Sequence, residues 1–314
     1  MNNEIMVSVC CLVYNHEKYL RQCLDGFIMQ KTNFKFEVLV HDDASTDGSA
    51  DIIREYEKKY PDIIKPIYQK ENQYSKGVKI SWTFQYPRAK GKYIALCEGD
   101  DYWIDPNKLQ IQFDWMESHS DYTLCVHEAI KINLFDNIEE YYTKIDKSGY
   151  VTIETILENG AIFATNSCFF KTEIMLLMPK SFTTFGFGDH QVIIFNTLKG
   201  KCYYISKPMS VYNWGTEGSW TNRVLFDSKK RAKNCLEMIS LMKVIDEYSC
   251  FRYTESIQKK IDKTEFNYHL AHGDFLKVKK KKYRVFYEES AWNPQKEAFL
   301  NRFPFLKKLS GKNK

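Results

Sequence analysis

Over its first hundred residues the chain alternates short apolar runs with segments of helical spacing, and polar clusters follow the apolar runs. The run Ile5–Val13 reads as a buried strand. It lacks the basic flank and small-residue cleavage site of a signal peptide, and Leu20, Cys23, Leu24, Phe27 and Ile28 follow it at the spacing of a helix face. Phe36, Val38 and Val40 alternate as a second strand, and Ser45, Thr46 and Asp47 offer capping oxygens to a helix presenting Ile52, Ile53 and Tyr56. A short strand at 63–68 comes next. A helix marked by Val78, Trp82, Tyr86 and Ala89 and closed by Gly91 then leads to a strand at 93–97, completing a βαβαβαβ period.

Right-handed crossovers of this kind build an α/β fold, a mainly parallel sheet with helices on both faces, and such sheets bind ligands at the carboxyl ends of their strands. The residues at those ends are Tyr14-Asn15, His41-Asp42-Asp43 and Glu98-Gly99-Asp100-Asp101, so three strand ends converge on one crevice. From about 115 to 223 the pattern is mixed, with strands near 123–132 and 161–170 and a helix at 190–198 that complete the sheet and cover the cleft. Residues 224–314 read as helical, with Ala232, Cys235, Leu236, Ile239, Met242 and Ile245 in one apolar stripe.

Composition narrows the function. With 314 residues, 44% of them hydrophobic, the chain can bury a core, and with only 14 Gly and 8 Pro it is neither collagen-like nor low-complexity. No apolar stretch approaches the roughly 18 residues of a membrane-spanning helix. The nine cysteines form no CxxC pair and no zinc spacing, which places the chain in a reducing cytoplasm. Residues 1–223 carry 24 Lys and Arg against 29 Asp and Glu, whereas 224–314 carry 21 against 11. The acidic body argues against nucleic acid as a partner. The basic tail, including Lys279–Lys282 and the aromatic segment at 299–308, is either a solvated helix face or an element for an anionic membrane surface.

Asp43, Glu98, Asp100 and Asp101, brought to one crevice without an interleaved cation, would repel one another in low dielectric. Carboxylate oxygens suit Mg²⁺ or Mn²⁺, ions that commonly take one or two protein carboxylates together with substrate phosphates. A nucleoside diphosphate is the natural ligand of such a site. The alternative for Asp100 and Asp101 is a plain turn, for which Gly-Asp-Asp is good chemistry.

The joint pattern resembles the inverting family 2 glycosyltransferases, nucleotide-sugar enzymes of the GT-A fold, from about Val7 to Trp220. The residues that carry the likeness are Val9-Cys10-Cys11-Leu12-Val13-Tyr14-Asn15, then Asp42-Asp43-Ala44-Ser45-Thr46-Asp47-Gly48-Ser49 where the family usually has Asp-Asp-Gly-Ser, then Glu98-Gly99-Asp100-Asp101 at the DxD position. Ala44 in place of glycine counts as a mild change. The resemblance implies a mixed, mainly parallel sheet with a helical C-terminal extension, divided as a nucleotide-sugar half (1–115), an acceptor half (116–223) and a basic extension (224–314). It assigns Tyr14, Asn15, Glu17, Asp42, Asp43, Glu98 and Asp100 to the nucleotide sugar, Tyr14 by stacking on the base and Asp43 by hydrogen bonding to it, and the metal to Asp100 and Asp101. Asp42 equally suits a cap of the following helix.

Asp189, in Phe187-Gly188-Asp189-His190, stands where the family carries the base that takes the acceptor proton, and it also suits the start of the following helix. Asn166 and Ser167 fall where relatives line the acceptor pocket. In Tyr212-Asn213-Trp214-Gly215 the chain departs from the family's Tyr-Arg-x-His, which leaves Glu217, Ser219 or Trp220 to cover the diphosphate. The Gln-x-x-Arg-Trp motif of processive synthases is absent from the sequence.

The expected activity is therefore metal-dependent transfer of one sugar from a UDP-sugar to a glycan or polyprenyl-diphosphate-linked acceptor in bacterial capsule or O-antigen assembly. It would take place in the cytoplasm, at the inner face of the membrane if the tail binds lipid. The other reading is a non-catalytic donor-binding subunit. Sugar-nucleotide pyrophosphorylases and NAD-dependent oxidoreductases need a glycine-rich turn after the first strand, where this chain has Tyr14-Asn15-His16-Glu17-Lys18.

Overall fold

A computed structural model describes residues 4–143, 145–160, 162–225, 227–290 and 293–303. It resolves into two compact units, one of residues 1–156, 161–183 and 188–216, the other of 157–160, 184–187 and 217–314.

The first unit opens with β1 (Ile5–Val13), α1 (Glu17–Ile28), β2 (Lys35–Asp42), α2 (Ser49–Lys59), β3 (Ile67–Tyr68) and β4 (Tyr93–Leu96). It continues with β5 (Tyr102–Trp103), α3 (Lys108–Ser118), β6 (Tyr122–Asn133), β7 (Ile138–Tyr141), β8 (Gly149–Val151) and the first residues of α4 (Ile153–Asn159), whose residues from 157 on are counted in the second unit. The remaining elements are β9 (Phe169–Lys171), α5 (Thr172–Leu176), α6 (Lys180–Thr183), α7 (Gly188–Lys199) and β10 (Lys201–Trp214). Among the described residues the strands form one mixed sheet in the order β3-β2-β1-β4-β9-β6-β10-β5, with β7 on β6 and β8 on β10. The β2–β1, β1–β4 and β6–β10 ladders are parallel and hold most of the paired residues, while β9 runs antiparallel between β4 and β6. The two halves expected at 1–115 and 116–223 thus contribute strands to one sheet.

β1 is central and buried on both faces, which is why it reads as a continuous apolar run rather than an alternation. Val7, Val9, Cys11 and Val13 pack in one core with Leu20, Cys23, Leu24 and Phe27 of α1 and Ile52, Ile53 and Tyr56 of α2. Phe27 is fully buried, and truncating a residue of this kind to alanine costs about 3–5 kcal/mol. Ser8 sits mid-strand because its hydroxyl donates to Glu37 at 2.7 Å and accepts from the Gly91 amide at 2.9 Å. A Cβ on Gly91 would lie 2.4 Å from the Ser8 nitrogen, so glycine is required there by close packing onto β1.

Three elements differ from expectation. The helix anticipated over Val78–Ala89 is a π-helical turn, Ser81–Gln85, followed by a 3-10 turn, Tyr86–Arg88. Pro87 has no amide hydrogen and its ring opposes a regular helix, while Gln85 turns inward to donate to the Cys11 and Leu39 carbonyls, both at 3.0 Å. The strand expected at 63–68 is an isolated bridge, Val38 with Ile64, plus the two residues of β3. The apolar stretch 161–170 yields a 3-10 turn, Thr165–Ser167, and only the short β9; its first residue lies outside the described residues.

The second unit contains α8 (Trp220–Leu225), α9 (Ser228–Tyr248), α10 (Thr254–His272), α11 (Arg284–Glu288) and α12 (Pro294–Arg302). Asp227 caps α9 by accepting from the Lys229 and Lys230 amides, and Asn293 caps α12 with Pro294 in its first turn. Met238, Leu241, Met242 and Ile245 of α9 and Ile257, Ile261 and Phe266 of α10 are buried. Leu236, expected in the apolar stripe, is instead 50% exposed.

Candidate functional site

The β1 and β2 ends are tied to each other before any ligand is considered. Asn15 adopts a left-handed φ of 57°, its amide donates to Ser45 Oγ at 3.0 Å, and its side-chain oxygen accepts from the Thr46 amide at 2.7 Å. Glu17 accepts from the Gly48 amide at 2.9 Å, and its own amide donates to Asp47 at 3.0 Å. Asn15 and Glu17, expected at the nucleotide sugar, therefore join the two loops, and Tyr14, 43% exposed, projects beside them.

Asp42 is buried, its carboxyl is raised by that burial, and it accepts from the Ser45 amide at 3.4 Å, a contact in the loop ahead of α2 and not the helix cap weighed for it. The two carboxylate oxygens of Asp43 accept from the amides of Gln73 (2.7 Å) and Tyr74 (3.0 Å), so Asp43 draws the 72–77 loop to the β2 end. Beneath it His41 is fully buried with neither ring nitrogen hydrogen-bonded, 3.9 Å from Asp43, and burial holds its pKa down to about 4. Ala44 has φ +60°, so its replacement of glycine carries strain rather than being mild.

After β4, the Gly99 amide bonds the Leu12 carbonyl at 2.8 Å, laying the acidic turn against β1. A Cβ on Gly99 would come within 2.8 Å of His16 Nδ1 and 2.9 Å of Val13. One oxygen of Asp100 accepts from Thr216 Oγ1 at 2.7 Å and lies 3.9 Å from His16 Nε2. Asp101 is buried, with one oxygen accepting from the Asn213 amide (2.9 Å) and the other from Asn166 Nδ2 (3.2 Å). Asn213 Nδ2 also donates to the Asp100 carbonyl at 2.6 Å.

The electrostatics follow from this crowding. Burial, and next the charge of Asp100, raises the Asp101 carboxyl well above its ordinary range. Glu98 keeps solvent access but is ringed by protein, and its carboxyl is pushed up to about 8 by desolvation first, then by Asp100 and Asp189. Asp189 thus stands within electrostatic reach of the acidic turn. Its carboxylate also accepts from the His190 amide at 2.8 Å, a local contact in the first turn of α7. Among the described residues no lysine or arginine pairs with Glu98, Asp100, Asp101 or Asp189.

The donor set suits an open divalent site rather than a closed cage. Among the described residues no cluster of three or more His, Cys, Asp or Glu is arranged around a cation position. Mg²⁺ and Mn²⁺ bound with substrate phosphates need only one or two carboxylates. Among the described residues the Glu98 carboxylate and the second oxygen of Asp100 accept no hydrogen bond and can supply them, whereas both Asp101 oxygens are engaged by Asn213 and Asn166.

Asn166 and Ser167 are fully buried: Asn166 braces Asp101 and accepts from Ser210 at 2.7 Å, and the Ser167 hydroxyl donates to the Ala164 carbonyl at 2.7 Å. Asn166 supports the acidic turn from within, and Ser167 closes the 3-10 turn that carries it. Glu217, Ser219 and Trp220 belong to the second unit, and the side chain of Trp220 lies outside the described residues. Thr216, His16 and the Gln73–Tyr74 amides are site groups that sequence reasoning missed. For Thr216 the departure from the usual motif at Asn213 and Gly215 was the available signal.

A family model described as "Glycosyl transferase family 2" matches residues 8–172. A relative in Mycobacterium tuberculosis, itself uncharacterized, is 44% identical over 121 residues, covering 38% of this chain and 34% of the relative. The putative teichuronic acid biosynthesis glycosyltransferase TuaG of Bacillus subtilis is 27% identical over 201 residues, covering 59% of this chain and 76% of TuaG. Among solved structures, S. aureus TarS residues 1–349 in complex with UDP-GlcNAc aligns over 98% of this chain and 92% of that one, with a TM-score of 0.56 at 17% identity. The match spans about a third of the length of the mycobacterial relatives.

Proposed function

The chain belongs to glycosyl transferase family 2, and from that premise we propose that it transfers a sugar, with inversion, from a UDP-sugar to a hydroxyl of a glycan or polyprenyl-diphosphate-linked acceptor in bacterial surface polysaccharide assembly. The observation that carries this reading is that Glu98, Asp100 and Asp101 after β4 and Asp189 at the start of α7 lie within electrostatic reach of one another with no lysine or arginine paired to them among the described residues. The UDP-sugar in TarS and the teichuronic acid pathway of TuaG support the donor and product classes.

In this reading Asp100 and Glu98 hold Mn²⁺ or Mg²⁺, with Asp101 fixing the turn behind them. Held there, a divalent ion would supply positive charge to offset that of a departing diphosphate. Asp189 takes the proton of the acceptor hydroxyl as its oxygen forms the new bond to the anomeric carbon, and the bond from that carbon to the diphosphate breaks. The exposed Tyr14 ring offers a face to the base. Asp43 serves the nucleoside through the Gln73–Tyr74 loop that it anchors, and Asn15, Glu17 and Asp42 hold the loops that frame it. We place the enzyme at the inner face of the cell membrane, with its basic C-terminal segment toward anionic lipid.

The test is release of nucleoside diphosphate from a panel of nucleotide sugars, with Mn²⁺ or Mg²⁺ and a lipid-linked acceptor extract. Metal-dependent release from one donor supports transfer. Donor binding without release marks a non-catalytic subunit, and no binding of any donor overturns the reading.

A further inference from the structure

Residues Leu276-Lys277-Val278-Lys279-Lys280-Lys281-Lys282-Tyr283-Arg284-Val285 of the second unit hold six cations that the transfer chemistry does not use. They fold as two successive 3-10 turns, Lys277–Lys279 and Lys281–Tyr283, ahead of α11. Val278 and Tyr283 are buried in a small core with Phe266 and Ala298. These two pins fix the strip and turn its lysines outward, so the charge is presented on a shaped surface and not on a loose tail.

Lys277 pairs with Asp274, Lys282 with Glu265 and Arg284 with Glu288. Lys279, Lys280 and Lys281 are exposed and make no ion pair among the described residues. Lys277, Lys280 and Lys282 rim a groove of about 310 Å³ together with Glu265, the partner of Lys282, and its apolar lining includes Leu236 and Ile239 of α9. Leu236 is 50% exposed, and Leu276 and Val285, which bracket the strip, are 73% and 59% exposed.

The combination selects a partner. A soluble polyanion would be met by the lysines alone and would leave these aliphatic side chains in water. A bilayer interface takes both, with phosphates against the cations and apolar side chains in the boundary below them. We propose that this face docks on an anionic phospholipid bilayer, with lipid phosphates against Lys279, Lys280 and Lys281 and with Leu276 entering the interface. The proposal rests on placing the enzyme at the membrane, and it names the surface that holds it there.

Flotation of the full chain with vesicles of phosphatidylglycerol and phosphatidylcholine, beside vesicles of phosphatidylcholine alone, tests it. Binding is expected only to the anionic vesicles and is lost at high salt. The triple variant Lys279→Ser, Lys280→Ser, Lys281→Ser should bind roughly a hundredfold more weakly, at about fivefold per lysine. Leu276→Ser should weaken binding at unchanged charge. Equal binding to neutral vesicles, no effect of the triple variant, or lysine-dependent binding of polyphosphate without flotation would overturn the proposal. Donor turnover without vesicles, measured on the same preparations, is expected to be unchanged by the triple variant. It separates failure of this surface from failure of the transferase reading or of folding.

Discussion

The molecule carries two concentrations of like charge, handled in opposite ways. At the strand ends of the first unit, Glu98, Asp100 and Asp101 are crowded into a partly desolvated turn, where Asn213, Asn166 and Thr216 fix their geometry without neutralising them. In the second unit, Lys279, Lys280 and Lys281 are pushed into solvent by a core that pins the residues between and beside them. The difference lies in solvent. Desolvated carboxylates raise one another's pKa and demand a counter-ion at close range, whereas solvated charges are screened within about 8–10 Å and act only on an extended partner of opposite sign.

The largest expected break in that contrast is Asp189→Asn. It keeps the shape of the α7 first turn but removes the proton acceptor, so kcat should fall by about 10²–10⁴-fold with KM for the donor little changed, as steady-state kinetics would read. A parallel rise in KM would show that Asp189 binds the donor instead.

Next in size is the buried His41. Its pKa in the folded protein, about 4, lies below the ordinary 6.5, so the unfolded chain binds more protons between those values and stability falls as pH drops through that window. From pH 7 to pH 5 this should cost about 2 kcal/mol in urea-melt stability, and His41→Phe should flatten the slope. An unchanged slope in the variant would assign the acid sensitivity elsewhere.

A finer probe is Thr216→Val, which deletes the hydroxyl bonded to Asp100 and keeps the shape. A hydrogen bond to a charged group is worth about 1.5–3 kcal/mol, so kcat/KM should fall at least about tenfold. Smallest is Ala44→Gly, which relieves a left-handed backbone and should raise stability by about 0.5–1 kcal/mol in the same melts.

The parallel core of the fold was legible because its signals are local. Continuous burial of β1 and the helical spacing of Leu20, Cys23, Leu24 and Phe27 can be read from single windows. Pro87 and the inward turn of Gln85 defeated the helix expected between β3 and β4, because the carbonyls that Gln85 satisfies belong to strands 46 and 74 residues away in sequence. At the site, the acids could be found from their positions after strands, but which of their oxygens are already engaged could not. Asn166 and Asn213 reach Asp101 across separations of 65 and 112 residues, and Asn166 looks from sequence like any polar residue on a pocket wall. Ala44 looked harmless because residue type does not reveal φ.

The central claim is that the acidic turn binds a diphosphate only through a divalent cation, and calorimetric titration of UDP into the wild type and Asp100→Asn tests it most directly. The account predicts binding with Mn²⁺, none in the presence of a chelator, and loss of the Mn²⁺-dependent part in Asp100→Asn. Equal binding of UDP with and without the metal, unaffected by Asp100→Asn, would contradict it.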